Sequence, residues 1–300
     1  METQIAEVAG RSQPARRIAG RALLSVRSFV RRKPLGAMGL LIVLVAGFAA
    51  VFGNLVAPMD PYAIRVEHTL QSPSRSFLLG TDDLGRDIFS RMVIGARVSL
   101  FVGFATMLLA ATTGLVVGVS SAYLGGKFDL IVQRFVDGLS AIPALVLALA
   151  LVAALQSSVF NVVLAIAIVQ VPRFTRVIRS AAMAVRENAY IEAAKAIGCT
   201  SPRIMMRHVA PNIFAPLIIV ATASIGATII TESTLSFLGV GVPIRTISWG
   251  AMLSGDTQKF FTTAPWMALG PGLALTLTVF GINVFGDALR DVLDPRLRGR

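Results

Sequence analysis

The sequence ENAYIEAAKAIGCTSPRIMMRHVAPN, residues 187–212, is a polar stretch between two segments that are apolar enough to cross a membrane. It predicts two short helices joined by a turn, and Gly198 is placed to end the first helix. Thr200 or Ser201 can cap the second helix, whose first turn contains Pro202. We expect this stretch to be a docking element through which a water-soluble partner moves membrane helices.

The composition of the chain is that of an integral membrane protein. Of its 300 residues, 55% are hydrophobic and only 15% are charged, and the mean hydropathy is +0.73. The net charge of +12 does not indicate a nucleic-acid partner, because the basic residues lie in the gaps between apolar runs. The single cysteine, Cys199, excludes an internal disulfide and a multi-cysteine metal site.

Six apolar segments predict an all-α, polytopic fold with six transmembrane helices. A short amphipathic helix at residues 88–96 is expected to lie along the membrane surface and lead into the second span. The fourth segment is short, so it must continue as a helix through Pro172 and Phe174 or be tilted and buried. The segments are residues 35–57, 98–122, 135–155, 159–171, 213–237 and 266–285.

Six spans place both termini on one side of the membrane, and the basic residues predict which side this is. Most of the 28 Lys and Arg residues lie in the tail at residues 1–34, at Lys127 and Arg134, in residues 172–212 and in the C-terminal tail. Basic segments stay in the cytoplasm, so we expect both termini and the 187–212 stretch there. The tail would lie against anionic lipid, and residues 35–300 would form the transmembrane domain.

The first helix of the 187–212 stretch is predicted to have one apolar face, with Glu192 and Lys195 beside it as a weak i, i+3 pair. Two alternatives to a docking element stay open. A DNA-reading helix-turn-helix has this pattern, but a unit tethered to spans at both ends could hardly enter a major groove. A solvent loop without a partner is the other alternative. The apolar face consists of Tyr190, Ile191, Ala194 and Ile197.

The same stretch resembles the EAA signature of the permease subunits of bacterial ABC importers. The general signature has Ile and Leu shortly before the proline, and this chain departs from it with His208 and Ala210. The sequence RHVAPN, residues 207–212, is instead similar to the RHxLPN form of the signature found in the peptide-importer branch. The residues that match are Glu192, Ala193, Ala194, Gly198 and Pro211.

Three further stretches are similar to the dipeptide, oligopeptide and nickel permeases within that family. They are GTDDLGRDIFSRMVIGARVSL at residues 80–100, ESTLSFLGVGV at residues 232–242 with Trp249 and Gly250, and GDALRDVLDPR at residues 286–296. Their order matches the second of the two permeases in such systems. The resemblance therefore covers most of residues 80–296.

The resemblance implies a type I ABC importer transmembrane domain in the bacterial inner membrane. Its coupling helix would dock on a cytoplasmic ATPase, with two ATPase subunits, a second permease and an extracytoplasmic substrate-binding protein as partners. The expected cargo is dipeptides or oligopeptides, with nickel as the alternative. No GxxxxGK[ST] loop is present, so we expect no catalytic residues and no cofactor on this chain, and ATP and Mg would be used by the partners. The coupling residues would be Tyr190, Glu192, Ala193, Ala194, Lys195, Gly198 and Pro211.

A charged turn before the second span is a candidate contact for the binding protein. The alternative is that its aspartates cap the following helix, and both interpretations can hold together. The residues are Asp82, Asp83, Arg86 and Asp87.

Glu232 is the candidate for the substrate path, because an ionisable group at membrane depth is a candidate functional group. Its alternative role is to be solvated or bonded to neighbouring hydroxyls. The two histidines, His68 and His208, are predicted on opposite sides of the membrane, so no metal site is expected. A membrane-embedded receptor or enzyme stays open as another class, although an enzyme would have only Glu232 and Asp137 as candidate groups within the spans.

Overall fold

Long apolar helices form the framework of the molecule. The computed structural model describes residues 31, 33–243 and 245–293, and the described ranges contain no β-strand. The predicted basic tail, residues 1–34, lies largely outside the described residues. The helices are α1 Pro34–Val56, α2 Ile88–Leu124, α3 Gly126–Ala141, α4 Ala144–Leu155, α5 Val159–Arg186, α6 Ala189–Ala196, α7 Ser201–Ile204, α8 Phe214–Phe237, α9 Trp249–Met252, α10 Asp256–Lys259 and α11 Trp266–Leu293.

The prediction of six spans is confirmed with one change. Within the described residues, α1, α2, α5, α8 and α11 are each long and apolar enough to cross a membrane. The predicted third span, residues 135–155, is instead the bent pair α3 and α4, which meet at 93°. Pro143 forms the N-cap of α4, and the preceding Ile142 is extended. Proline disfavours a helical conformation in the residue before it, so the helix breaks there.

The predicted surface helix at residues 88–96 and the predicted second span are one helix. α2 runs unbroken for 37 residues, about 55 Å at the helical rise per residue. Asp87 caps its start, since its side chain accepts a hydrogen bond from the Ser90 amide. The separate surface helix was therefore a wrong prediction, because no residue between Asp87 and Gly125 interrupts the helix.

The fourth span continues as a helix through Pro172, which was one of the two predicted alternatives. α5 is a single helix of 28 residues with Pro172 inside it. A proline in a helix removes one backbone hydrogen bond and costs about 3 kcal/mol or more. Phe174, Thr175 and Ile178 directly after it are completely buried, and this packing holds the helix across the proline.

Glycines allow α2 to lie close to its neighbours. A Cβ added to Gly114 would meet the Phe174 Cβ at 2.3 Å, and one added to Gly118 would meet the Thr175 carbonyl oxygen at 2.9 Å. On the side facing α8, a Cβ on Gly103 would meet Ile229 at 2.6 Å. Small residues at such positions let membrane helices approach each other.

Contacts between the spans place both ends of the described transmembrane domain beside the 187–212 stretch. Lys33, before α1, pairs with Asp291 near the end of α11 at 2.5 Å. Arg186, at the end of α5, donates to the Ala122 carbonyl near the end of α2 at 2.8 Å. Arg97, near the start of α2, donates to the carbonyl of Ala50 in the last third of α1. The two helices are therefore antiparallel, as six alternating spans require.

We expect Gly114→Ala to destabilise the protein, because the added methyl group meets Phe174 at a distance that real contacts do not reach. Overpacking of this kind costs about 1–3 kcal/mol. Thermal unfolding of the purified protein in detergent measures the change. The matched control is Gly47→Ala in α1, where a Cβ meets nothing within 4 Å. Equal unfolding midpoints for the two variants would contradict the role of Gly114.

Candidate functional site

The 187–212 stretch forms two short helical segments joined by a turn, as predicted. α6 is followed by Gly198 with φ of +84°, a conformation that glycine adopts without strain. Thr200 is the N-cap of α7, although its side chain makes no capping hydrogen bond. After α7 the chain makes a π-helical turn, Met205–Val209, and then a single turn, Ala210–Asn212. The sequence did not predict the π turn.

One face of this stretch is anchored in the membrane bundle. Ile191 and Ala194 of α6 are buried, and both belong to the same hydrophobic cluster as the core residues of α2 and α5. Ile204 and Val209 extend the anchored face along the second half of the stretch, and Ile213 directly after it is buried in the same cluster. Because five apolar side chains are buried in this way, the position of the stretch is fixed relative to the spans.

The stretch also exposes three large apolar side chains, which we call the apolar tip. Ile197 is 81% exposed, Met206 is 75% exposed and Tyr190 is 44% exposed. Of the predicted apolar face, Ile191 and Ala194 are thus buried, whereas Tyr190 and Ile197 are exposed. The predicted coupling residues Glu192, Ala193, Lys195, Gly198 and Pro211 are also exposed.

Lys195 connects α6 to the end of α2. Its Nζ lies 5.6 Å from the centroid of the Tyr123 ring, within the range of a cation–π contact. No ion pair joins Lys195 to Glu192 in the part of the chain that the structure describes, so the predicted i, i+3 pair is wrong. On the second half of the stretch, the His208 ring lies 6.4 Å from that of Tyr190.

The charged turn at residues 80–87 lies at the opposite end of the bundle. Asp82 is buried, and its carboxylate accepts from the amides of Leu84 and Arg86 and from Arg86 Nε at 2.6 Å. Asp87 is also buried, and its Oδ2 accepts from the Ser90 amide and hydroxyl. The capping interpretation thus describes Asp87, which caps α2, whereas Asp82 holds the turn before the helix.

Asp83 and Arg86 line a cavity of about 390 Å³, together with Asp82, Arg91 and Asp256. Burial raises the pKa of Asp83, and the carboxylates of Asp82 and Asp256 raise it further, against the opposing effect of Arg86. Both acidic and basic groups therefore line this cavity. It lies at the end where α2 begins.

Glu232 is completely buried in α8 and is surrounded by hydroxyl groups. Its carboxylate accepts from Ser236 at 2.9 Å, from Ser248 at 3.1 Å and from Ser233 at 3.3 Å. The hydroxyl-bonded alternative describes this geometry, and the structure gives Glu232 no exposed surface for contact with a substrate. A role in the substrate path stays a prediction.

The loop between α8 and α11 folds back onto α2, which the sequence did not predict. Ser248, which bonds Glu232, also caps α9 by accepting from the Ala251 amide at 3.1 Å. The next residue, Trp249, donates its amide to Ser99 at 3.1 Å and its ring nitrogen to the Met92 carbonyl at 2.8 Å. The motif containing Trp249 and Gly250 was the signal in the sequence that could have indicated this contact, because a buried Trp needs a hydrogen-bond partner for its ring nitrogen.

The candidate residues for other chemistry do not come together. Among the described residues, no group of three or more His, Cys, Asp and Glu side chains could hold a metal ion. His68 contacts Gln71 and Phe77 at the end of the bundle where α2 begins, whereas His208 contacts Tyr190 at the other end. Asp137 is an exposed partner of Arg176.

Comparison with solved structures shows the fold. A chain of the MetNI methionine ABC transporter, solved in inward-facing conformations, superposes with a TM-score of 0.56 at 17% identity. The match covers 68% of this chain and 96% of that chain. The architecture is therefore the type I ABC importer fold that the resemblance implied.

Comparison with curated proteins shows the family. The dipeptide transport system permease protein DppC of Alkalihalophilus pseudofirmus is 40% identical over 269 residues, which cover 90% of this chain and 88% of that protein. The di/tripeptide transport system permease protein DppC of Pseudomonas aeruginosa is 39% identical, with 91% of each chain covered. The glutathione transport system permease protein GsiD of Escherichia coli is 36% identical and covers 90% of this chain and 89% of that protein.

A family defined as the binding-protein-dependent transport system inner membrane component matches residues 114–299. This range includes the 187–212 stretch and four of the membrane-crossing units described above. The chain therefore belongs to this family and is a multi-pass permease of an ABC importer.

Proposed function

We propose that this permease carries dipeptides or oligopeptides into the cell by alternating access, together with a second permease and two cytoplasmic ATPase subunits. The observation that carries the mechanism is the apolar tip on a firmly anchored loop. Large apolar side chains that are exposed together mark a surface for another protein. The named cargo of the relatives, dipeptides, di/tripeptides and glutathione, supports the substrate class.

The 187–212 stretch would act as the coupling element of the transporter. Movement of α6 by an ATPase would be passed to α2 through Lys195 on Tyr123 and through the buried side chains of Ile191 and Ala194. It would also be passed to α5, whose last residue, Arg186, bonds the end of α2. α5 and α8 flank the stretch directly, so both would move with it.

The membrane orientation follows from the same proposal. The end of the bundle that carries the apolar tip would face the cytoplasm, and both termini would lie on that side. The basic composition of the 187–212 stretch, with Lys195, Arg203 and Arg207, supports this orientation. ATP and Mg would be bound by the ATPase subunits and not by this chain.

The opposite end would receive the extracytoplasmic substrate-binding protein. Asp82, Asp83 and Arg86 of the charged turn line the cavity there, and Asp83 and Arg86 are proposed as contacts. Asp82 and Asp87 would support this surface by holding the turn. Charged groups at the rim of an interface affect the rate of encounter more than the affinity.

Ile197→Asp should weaken binding of the ATPase subunits, because it places a charge at the most exposed side chain of the apolar tip. Residues of this kind contribute at least about 1–2 kcal/mol to binding, so we expect a loss of about tenfold or more in recovered ATPase. Co-purification of the complex in mild detergent measures it. Ile197→Val keeps the apolar surface and is the control. Equal ATPase recovery from both variants would contradict the docking role.

Deletion of the gene should abolish uptake of labelled dipeptide in cells that depend on this system. Competition by unlabelled dipeptides, longer peptides and nickel in the parent cells then ranks the substrates. We expect peptides to compete and nickel not to compete. Normal dipeptide uptake after deletion, or competition by nickel alone, would remove the peptide assignment.

A further inference from the structure

A segment of the loop between α8 and α11, residues 253–263, is held firmly at its two ends. Before it, Trp249 is bonded to α2 through its amide and its ring nitrogen. After it, Ala264 is completely buried, and the ring nitrogen of Trp266 donates to the Thr81 carbonyl at 3.2 Å. We call this segment, which contains α10, the lid segment.

The middle of the lid segment is only weakly attached to the bundle. Gln258 and Lys259 are exposed, and the Gln258 side chain donates to the Phe237 carbonyl at the long distance of 3.5 Å. Gly255, directly before α10, has φ of +58°, and a Cβ added to it would meet nothing within 4 Å. Phe260 packs against a buried cluster near the end of the segment. A segment with fixed ends, a glycine joint and few outside bonds can move while the spans stay folded.

A contact between two carboxyl groups joins the lid segment to the charged turn. Residues 254–257 of the lid segment form part of the wall of the cavity of about 390 Å³, opposite residues of the turn. There the carboxyl groups of Asp83 and Asp256 lie within hydrogen-bonding reach of each other. Two ionised carboxylates repel each other, so a hydrogen bond between these groups requires a proton on one of them.

The surroundings decide which carboxyl group carries this proton. Lys259 Nζ lies 2.7 Å from Asp256 Oδ1, and this hydrogen bond lowers the pKa of Asp256. Burial raises the pKa of Asp83, and the carboxylates of Asp82 and Asp256 raise it further, whereas Arg86 lowers it. Asp83 is therefore the proton carrier, and the ionised Asp256 accepts its hydrogen bond.

The other elements around the cavity add one further charge to the groups already named. Arg91 of α2 lines the cavity and donates to the Pro61 carbonyl at 3.0 Å. Among the described residues that line the cavity, α8 contributes Ser236 and α11 contributes Met267, and neither side chain is charged. The charges that face the carboxyl pair thus come from the turn, from α2 and from the lid segment itself.

We propose that the lid segment closes over the cavity when Asp83 is protonated and opens when Asp83 ionises. Protonated Asp83 donates a hydrogen bond to Asp256, whereas ionised Asp83 repels it. Because the pKa of Asp83 is raised in the folded protein, the contact is fully formed below the ordinary pKa of an aspartate. It is lost as the pH rises through the raised pKa of Asp83.

The side of the membrane on which this latch acts rests on the proposed function. In the proposed orientation, the cavity lies on the extracytoplasmic side and meets the pH of the medium. Acid would then close the surface that is proposed to receive the substrate-binding protein, and a neutral medium would open it. The movement of the lid segment itself is the same whichever side it faces.

Distances between nitroxide spin labels measure this movement without any transport. In a Cys199→Ser background, the labels are attached at Gln258→Cys on the lid segment and at Leu108→Cys on α2, both of which are exposed positions. In the purified full-length protein in detergent, we expect the population at the closed distance to fall about tenfold between about pH 4 and about pH 7. A loss of about this size is expected when one hydrogen bond to a charged group is removed.

Three variants separate the carboxyl pair from other effects of pH. Asp83→Asn can donate to Asp256 but cannot ionise, so the closed distance should persist at both pH values. Asp256→Asn can pair with either form of Asp83, so it should also abolish the response, and it serves as the second variant if Asp83→Asn does not fold. Glu67→Gln, at an exposed residue that does not line the cavity, is the matched control and should keep the full response.

A closed distance that does not change with pH in the parent protein would overturn the latch, and so would a response that persists in Asp83→Asn or Asp256→Asn. A second label pair, Leu78→Cys with Leu108→Cys, should keep one distance at both pH values, because Leu78 is exposed outside the lid segment. If this pair changes together with the first, the whole end of the bundle moves and the lid is rejected. Each of these results leaves the proposed peptide transport untouched, since the uptake experiment tests it separately.

Discussion

The close contact between α2 and α5 is the constraint on which the other features of the structure depend. Gly114 and Gly118 bring the two helices together, because Phe174 packs against Gly114 while Thr175 and Ile178 pack against Gly118. This packing keeps α5 helical across Pro172 and delivers the chain to α6 at a fixed position. In a membrane, where apolar side chains gain little from leaving lipid, such close packing is a principal source of association between helices.

The apolar pattern was sufficient to predict the spans but not the full length of their helices. The basic residues of α5, from Arg173 to Arg179, looked like the start of a cytoplasmic loop because hydropathy falls there. The structure continues the helix because Phe174, Thr175 and Ile178 alternate with them and are buried. Similarly, Pro143 was visible within the third span, but the angle of its break depends on packing that a local pattern does not contain.

For the candidate site, the sequence predicted where the short helices end and begin, but it did not predict which of their side chains are buried. Gly198 and Thr200 mark the helix end and the helix start through local conformation, so they were found. α6 has apolar residues on several sides, and only contact with the bundle decides that Ile191 is buried and Ile197 exposed. The hydrogen bond between Glu232 and Ser248 joins residues from a span and a distant loop, for which the sequence has no spacing rule.

α5 connects the coupling stretch to the neighbouring spans. Its C-terminal end leads into the coupling stretch, and α3 is joined to it by the half-buried ion pair of Arg179 and Asp129 and the more exposed pair of Arg176 and Asp137. A movement of α6 would therefore reach α3 through α5 and these two ion pairs. Motion supplied at the apolar tip would thus pass to the neighbouring spans through one helix, without a separate relay of side chains.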